Sequence, residues 1–170
     1  MENLVNIQKR EKGFTIIEVV LVLAIGGLIL MMAIIAFPAL QRGQRDTQRK
    51  NDLSRMQTAL TSYTSSSRGA IPSTPAAWSA FKASYLLVSG DSFVDPLGSS
   101  TSQGGTVTSY ALTQSFVTPL STTFEDGQNI IYYSPGYICG ATNDSIVAKG
   151  SRSVAFRMVL EGGGFDCRNN

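Results

Sequence analysis

Lys12-Gly13-Phe14-Thr15-Ile16-Ile17-Glu18 runs directly into twenty-two residues, 19–40, that carry no charge. This stretch decides the fold. The charges of Lys9, Arg10, Glu11 and Lys12 stop at Gly13, and one acid, Glu18, stands at the head of the apolar run. As a helix rising about 1.5 Å per residue, the uncharged segment is about 33 Å long, enough to cross a hydrocarbon core of roughly 30 Å. An ionised side chain at the centre of such a helix costs roughly 2.5–3.5 kcal/mol on insertion scales, so a plain anchor has no reason to keep Glu18. We read a membrane-spanning helix whose acid has a task.

An ordinary secretory signal peptide fits poorly. Its apolar region runs only about 7–15 residues before a small-residue cleavage site, whereas this one is longer and ends Ala36-Phe37-Pro38-Ala39. Pro38 spoils the small-x-small pattern there. The residues around Gly13 instead resemble the class III signal peptide of type IV prepilins, and the whole pattern is similar to a major type IV pilin. That resemblance implies a leader, 1–13, removed by a prepilin peptidase between Gly13 and Phe14, with N-methylation of the new terminal Phe14. It places Glu18 at the family's acidic position for assembly and Gly27 at a glycine midway along the helix. The helix proline falls a few residues later than in well-known pilins, at Pro38, so Gly27 and Pro38 are the expected helix-break positions when subunits assemble.

Composition narrows the rest. The chain of 170 residues, less thirteen of leader, has room for one anchor helix and one small domain. Net charge is +2, and loss of Lys9, Arg10 and Lys12 with Glu2 and Glu11 leaves +1, which argues for no global attraction to nucleic acid or membrane surface. The sequence has no histidine, which removes His-dependent triads and His metal sites. No nucleophile is paired with a base, so no catalytic residues, no metal and no cofactor are expected.

Past Pro38 the pattern turns amphipathic. Leu40, Thr47, Met56, Leu60 and Tyr63 fall near one stripe with Leu53 beside it, while Arg42, Arg45, Arg49, Lys50 and Arg55 lie mostly elsewhere. The helix is therefore expected to run from Phe14 to about Ser65, its half 14–40 in the membrane or filament core and its half 41–68 on a small domain. Asp46 and Lys50 stand at i,i+4 with the acid first, worth about 0.3–0.5 kcal/mol if exposed. Gly69 is placed to cap the helix, and Pro72 forbids continuation. The five cations from Arg42 to Arg55 could attract DNA, but a solvated helix face is the simpler reading. Basic residues flank the apolar run on both sides, so charge alone leaves orientation open. The resemblance places the N-terminus in the cytoplasm and the C-terminal domain outside.

That domain, 69–170, reads as β-rich after a loop, 69–105. Thr106 to Gln114 alternates, Asn129 to Tyr133 is a short Ile/Tyr run, and Val154, Phe156, Met158 and Leu160 alternate with small or polar residues. Three or four antiparallel strands are expected, one face on the helix. Within the loop a short helix is expected from Trp78 to Val88, Asp95-Pro96-Leu97-Gly98 is a turn signal, and 99–105 reads as linker.

Cys139 and Cys167 lie 28 apart without a CxxC pair, and two sulfurs without histidine make no usual zinc site, so a structural disulfide is the plain reading. It suits an extracytoplasmic compartment, and the resemblance adds that such a bond staples a C-terminal loop that forms filament surface. Asp91, Asp95, Asp126 and Asp144 read as solvated turn acids rather than a calcium site. Asn143-Asp144-Ser145 fits a glycosylation acceptor, a triplet that arises often by chance. Tyr132, Tyr133, Tyr137 and Phe165 could make a sticky surface or simply pack a core.

The expected fold is thus α+β: a long N-terminal helix, first transmembrane and then amphipathic, packed on a small antiparallel sheet, as in pilins. The resemblance implies a structural subunit of a type IV pilus that waits in the cytoplasmic membrane and then joins an extracellular filament used in adhesion, motility or DNA uptake. Its partners would be copies of itself, the peptidase and methyltransferase, and the assembly machinery. Inside the filament Glu18 would face the α-amine of a neighbouring Phe14. A pseudopilin of a type II secretion or competence apparatus shares the same N-terminal chemistry. A single-pass membrane protein with an extracellular binding domain would leave Glu18 incidental.

Overall fold

A computed structural model describes residues 13–88, 93–98 and 109–170. Helix α1 spans Ile16–Ser66. The chain divides into two compact units, Met1–Leu40 and Gln41–Asn170.

In the first unit α1 is apolar all round and every described side chain is exposed. Among the described residues α1 is long and apolar enough to cross a membrane. Nothing among the described residues covers it, and its apolar character runs all round the helix rather than along one stripe. The helix runs unbroken through Gly27 and Pro38, the two positions expected to break it on assembly.

The second unit is built around the other half of α1. Leu53, Met56 and Leu60 are fully buried there, and Tyr63 packs at the edge of the same core. Leu40 and Thr47, expected on that stripe, are exposed; the first core contacts start later, and the buried residues before Leu53 are Asp46, Arg49 and Asp52. The helix ends where Arg68 and Gly69 take positive φ (56° and 80°) and the Gly69 N–H closes on the Thr64 carbonyl at 2.7 Å, so a glycine there avoids strain. Helix α2, Pro75–Tyr85, starts and stops three residues earlier than its sequence suggested. The Thr74 hydroxyl caps it by accepting from Ala77 N–H, and Pro75 fills the first turn. Trp78 and Phe81 enter the core, with the Trp78 ring 4.5 Å from Tyr133 and 5.9 Å from Phe156.

The main sheet has the order β1-β2-β5-β6, from strands Ala111–Gln114, Ile130–Pro135, Val154–Val159 and Phe165–Asn169. Helix α3, Phe124–Gly127, lies between β1 and β2 in sequence, and strands β3, Tyr137–Cys139, and β4, Ile146–Ala148, form a separate two-stranded sheet. The sheet is mostly antiparallel, with one correction: β1 pairs with β2 in parallel, Ala111 opposite Ile130. Of the strand expected over 106–114, only Ala111–Gln114 is strand among the described residues, and 106–108 fall outside them. A second correction concerns β5. It is buried along its whole length rather than on alternate residues. The reason is a second cover: Val154, Phe156 and Met158 face the helix core, while Ala155, Arg157 and Val159 lie under the chain on the other side. Gly127 belongs to that cover, since a Cβ on it would stand 2.6 Å from Val159 Cγ2.

Cys139 and Cys167 are bonded, their Cα atoms 5.9 Å apart. The bond ties β3 to β6 and so joins the two sheets.

Candidate functional site

The motif that opened the sequence lies at the start of α1. Thr15 precedes the first helical residue and Glu18 stands in the first turn, the spacing of a capping box. Both members act. Glu18 Oε2 accepts from the Thr15 N–H at 2.8 Å and from the Thr15 hydroxyl at 2.7 Å, and Thr15 Oγ1 lies 3.4 Å from the Glu18 N–H. The Thr-x-x-Glu spacing was legible in the sequence, but there Glu18 drew attention only as a charge in an apolar run. Around this box Phe14, Val19, Val22 and Leu23 line a shallow apolar hollow with Glu18 on its wall. Phe14 is 89% exposed. Among the described residues a Cβ on Gly13 would meet nothing within 4 Å. Gly27 is equally unencumbered.

A second polar cluster, which sequence reasoning missed, holds the segment of α1 from Arg42 to Arg49. Glu161, just after β5, accepts from Arg45 Nε at 2.7 Å and Nη2 at 2.6 Å, and Arg42 and Arg49 approach it at 3.7 and 3.4 Å. Asp46 accepts the backbone N–H groups of Glu161 and Gly162, each at 2.8 Å, and receives Arg49 at 2.9 Å. Arg49 is fully buried; it makes paired bonds to Asp95 at 2.7 and 2.8 Å and lies 4.7 Å from the centre of the Phe124 ring.

This cluster corrects three sequence readings. Asp46 engages Arg49 and the 161–162 amides rather than forming a simple exposed pair with Lys50. Asp95 sits in its expected turn, with Gly98 N–H on its carbonyl at 2.8 Å, yet its side chain is buried on Arg49 instead of solvated. The basic stretch is not a bare cationic face, because Arg42, Arg45, Arg49 and Arg55 all meet carboxylates of this chain, Arg55 through Asp52 at 3.2 Å.

Electrostatics follow from these partners. Burial pulls the Arg49 guanidinium down, but hydrogen bonds and charge from Asp95 and Asp46 outweigh it and hold the group above the ordinary arginine value. The Arg45 hydrogen bonds hold Glu161 below the usual carboxylate range against partial burial. Burial pushes Asp52 up, opposed by the Tyr110 hydroxyl and Arg55, and pushes the Tyr110 phenol well above its normal value, with Asp52 adding to the rise.

Another buried ion also escaped the sequence. Arg157 is fully buried and donates to the backbone carbonyls of Val117 at 2.8 Å and Asp144 at 2.7 Å. Burial lowers its pKa, opposed by Asp144. Asp144 is half-buried rather than solvated. Asp126 is exposed in the first turn of α3, and Asp91 falls outside the described residues. Asn143 is exposed, while the Ser145 hydroxyl of the same triplet donates to the Thr142 carbonyl at 2.8 Å. Of the four aromatics, Tyr133 is core and Tyr132, Tyr137 and Phe165 are half-buried.

Residues 8–34 match the family model for the prokaryotic N-terminal methylation motif, the class III signal peptide of type IV pilins. No curated protein and no solved structure matches the chain. The motif indicates a type IV pilin-like protein, a group that takes in both pilins and pseudopilins, and it points to a structural subunit rather than an enzyme.

Proposed function

We propose that the chain is the filament-forming subunit of a type IV pilus, closest in kind to a major pilin. One observation carries the reading: an exposed apolar segment, 14–40, headed by an exposed Phe14 and an acid, with nothing among the described residues covering it. Such a surface needs lipid first and other subunits afterwards. The leader, 1–13, is cut after Gly13, and Phe14 is methylated. A glycine at 13 suits a peptidase that grips the backbone there, and among the described residues a Cβ on Gly13 would meet nothing within 4 Å. The amphipathic half, 41–68, carries the domain 69–170 outside the membrane.

In the filament Glu18 pairs with the Phe14 amine of a neighbouring subunit. Both Thr15 donors land on Oε2, and the proposed pairing uses the other oxygen, Oε1. A pseudopilin of a secretion or DNA-uptake apparatus would use the same chemistry without a long surface filament.

Mass spectrometry of filaments sheared from cells tests the reading. A mature protein that begins at Phe14, heavier by one methyl group and abundant in the sheared fraction, is the expected result. A terminus after Ala39 would restore the ordinary signal peptide, and an intact Gly13-Phe14 bond in the mature protein would favour a single-pass binding protein. Cleaved protein confined to the membrane would favour the pseudopilin.

A further inference from the structure

We infer that the turn after β5 and the segment 93–98 form a polar clamp on α1 between Arg42 and Arg49, and that this clamp sets the limit to which the helix can open from its N-terminal side. The inference stands independently of the filament reading. On that side the helix is weak for local reasons. Pro38 has no N–H to give the carbonyl four residues back and its ring crowds that carbonyl, while Gly43 adds backbone freedom with no packing contact near its Cα. Opening therefore starts most readily around 34–43.

Apolar packing does not stop it at once, because the first hydrophobic core residue of α1 is Leu53. Between these points the restraints are polar. Opening through Arg45 breaks its paired bonds to Glu161. Opening through Asp46 frees two backbone N–H groups, those of Glu161 and Gly162. Opening through Arg49 leaves Asp95 buried without its guanidinium. Three arginines and three acids meet here, so the cluster balances its own charge, and segments from three parts of the sequence converge within two helical turns. Such convergence makes the cost of opening rise abruptly at Arg45 rather than gradually along the helix.

Amide hydrogen exchange of the full chain in detergent micelles, disulfide intact, tests this. Peptides covering 42–50 are compared with peptides covering 53–63 and strands β2 and β5. Arg45→Gln, at a half-exposed position, should speed exchange of 42–50 by about tenfold, and Asp46→Asn by more, with the other peptides unchanged. Lys149→Gln, an exposed charge outside the cluster, should change nothing. Unaltered 42–50 exchange in both cluster variants would overturn the clamp. So would equal acceleration of β2 and β5 in Arg45→Gln, which would make the cluster a share of global stability instead of a local limit. If Asp46→Asn does not fold, Arg45→Gln decides alone.

Discussion

The two halves of α1 are one continuous helix with opposite dependences. From Phe14 to Leu40 the side chains are exposed and, Thr15 and Glu18 apart, apolar, with no cover among the described residues. From Arg42 to Leu60 the helix meets its partners within the chain, first through ions and then through the core. The lesson concerns where charge is tolerated. In the first half an acid is costly unless another molecule answers it; in the second, buried charge is answered by residues far away in sequence.

The largest expected effect falls on the first half. Glu18→Val removes an unfavourable charge from the apolar segment, so membrane insertion should hold or improve. If a neighbour's Phe14 amine needs that acid, the lost partner costs on the order of 3–5 kcal/mol at every subunit contact and filaments should vanish. Processed subunit and sheared filament, measured in the same cells, decide it; normal filament yield would erase the contrast between the halves.

Arg49→Met probes the second half by the same logic with the partner inside the chain. It leaves Asp95 buried without its cation, a destabilisation of roughly 3–5 kcal/mol in urea unfolding, with leader cleavage unaffected. A loss under about 0.5 kcal/mol, the size of a surface change, would mean that the buried pair is not what holds this end.

Removing the Cys139–Cys167 bond by paired serine substitution should cost about 3–4 kcal/mol by loop entropy, a little less than the loss of Arg49, and should leave the first half untouched. Thermal unfolding with and without the bond measures it. Two free thiols in protein taken from the cell surface would contradict the bond itself.

The smallest effect is on pH. Glu161 has a lowered folded pKa, so its contribution is fully present above the ordinary carboxylate range and fades as pH falls through about 4 and below. Unfolding midpoints of wild type and Glu161→Gln should therefore converge on acidification. Curves that stay parallel from neutral pH to pH 3 would place the stabilisation elsewhere.

What the sequence disclosed follows the range of the signal. The apolar run, the Gly-Phe boundary, the helix stop at Gly69 and the two cysteines are local patterns, each visible within a few residues or forced by the lack of another partner. Arg49 and Asp95 were misread because the fact that buries them is their separation of 46 residues, which no window shows. Arg157 went unnoticed because a period-two reading supposes one covered face, whereas β5 is covered on both. The parallel pairing of β1 is likewise a matter of topology, not of composition. Thr15 is the exception, a local pattern passed over because its acid had already been given a different role.

The separation of 116 residues between Arg45 and Glu161 also has a meaning in time. A chain growing at roughly 5–20 residues per second carries Arg45 for about 6 to 23 seconds before Glu161 exists. During that interval α1 has neither its clamp nor β5 to cover Leu53 and Met56, while its first half is already complete and competent to enter a bilayer. Synthesis thus completes the apolar half of the helix well before the residues that close on its other half exist, and the order of the chain leaves Leu53 and Met56 uncovered through that interval.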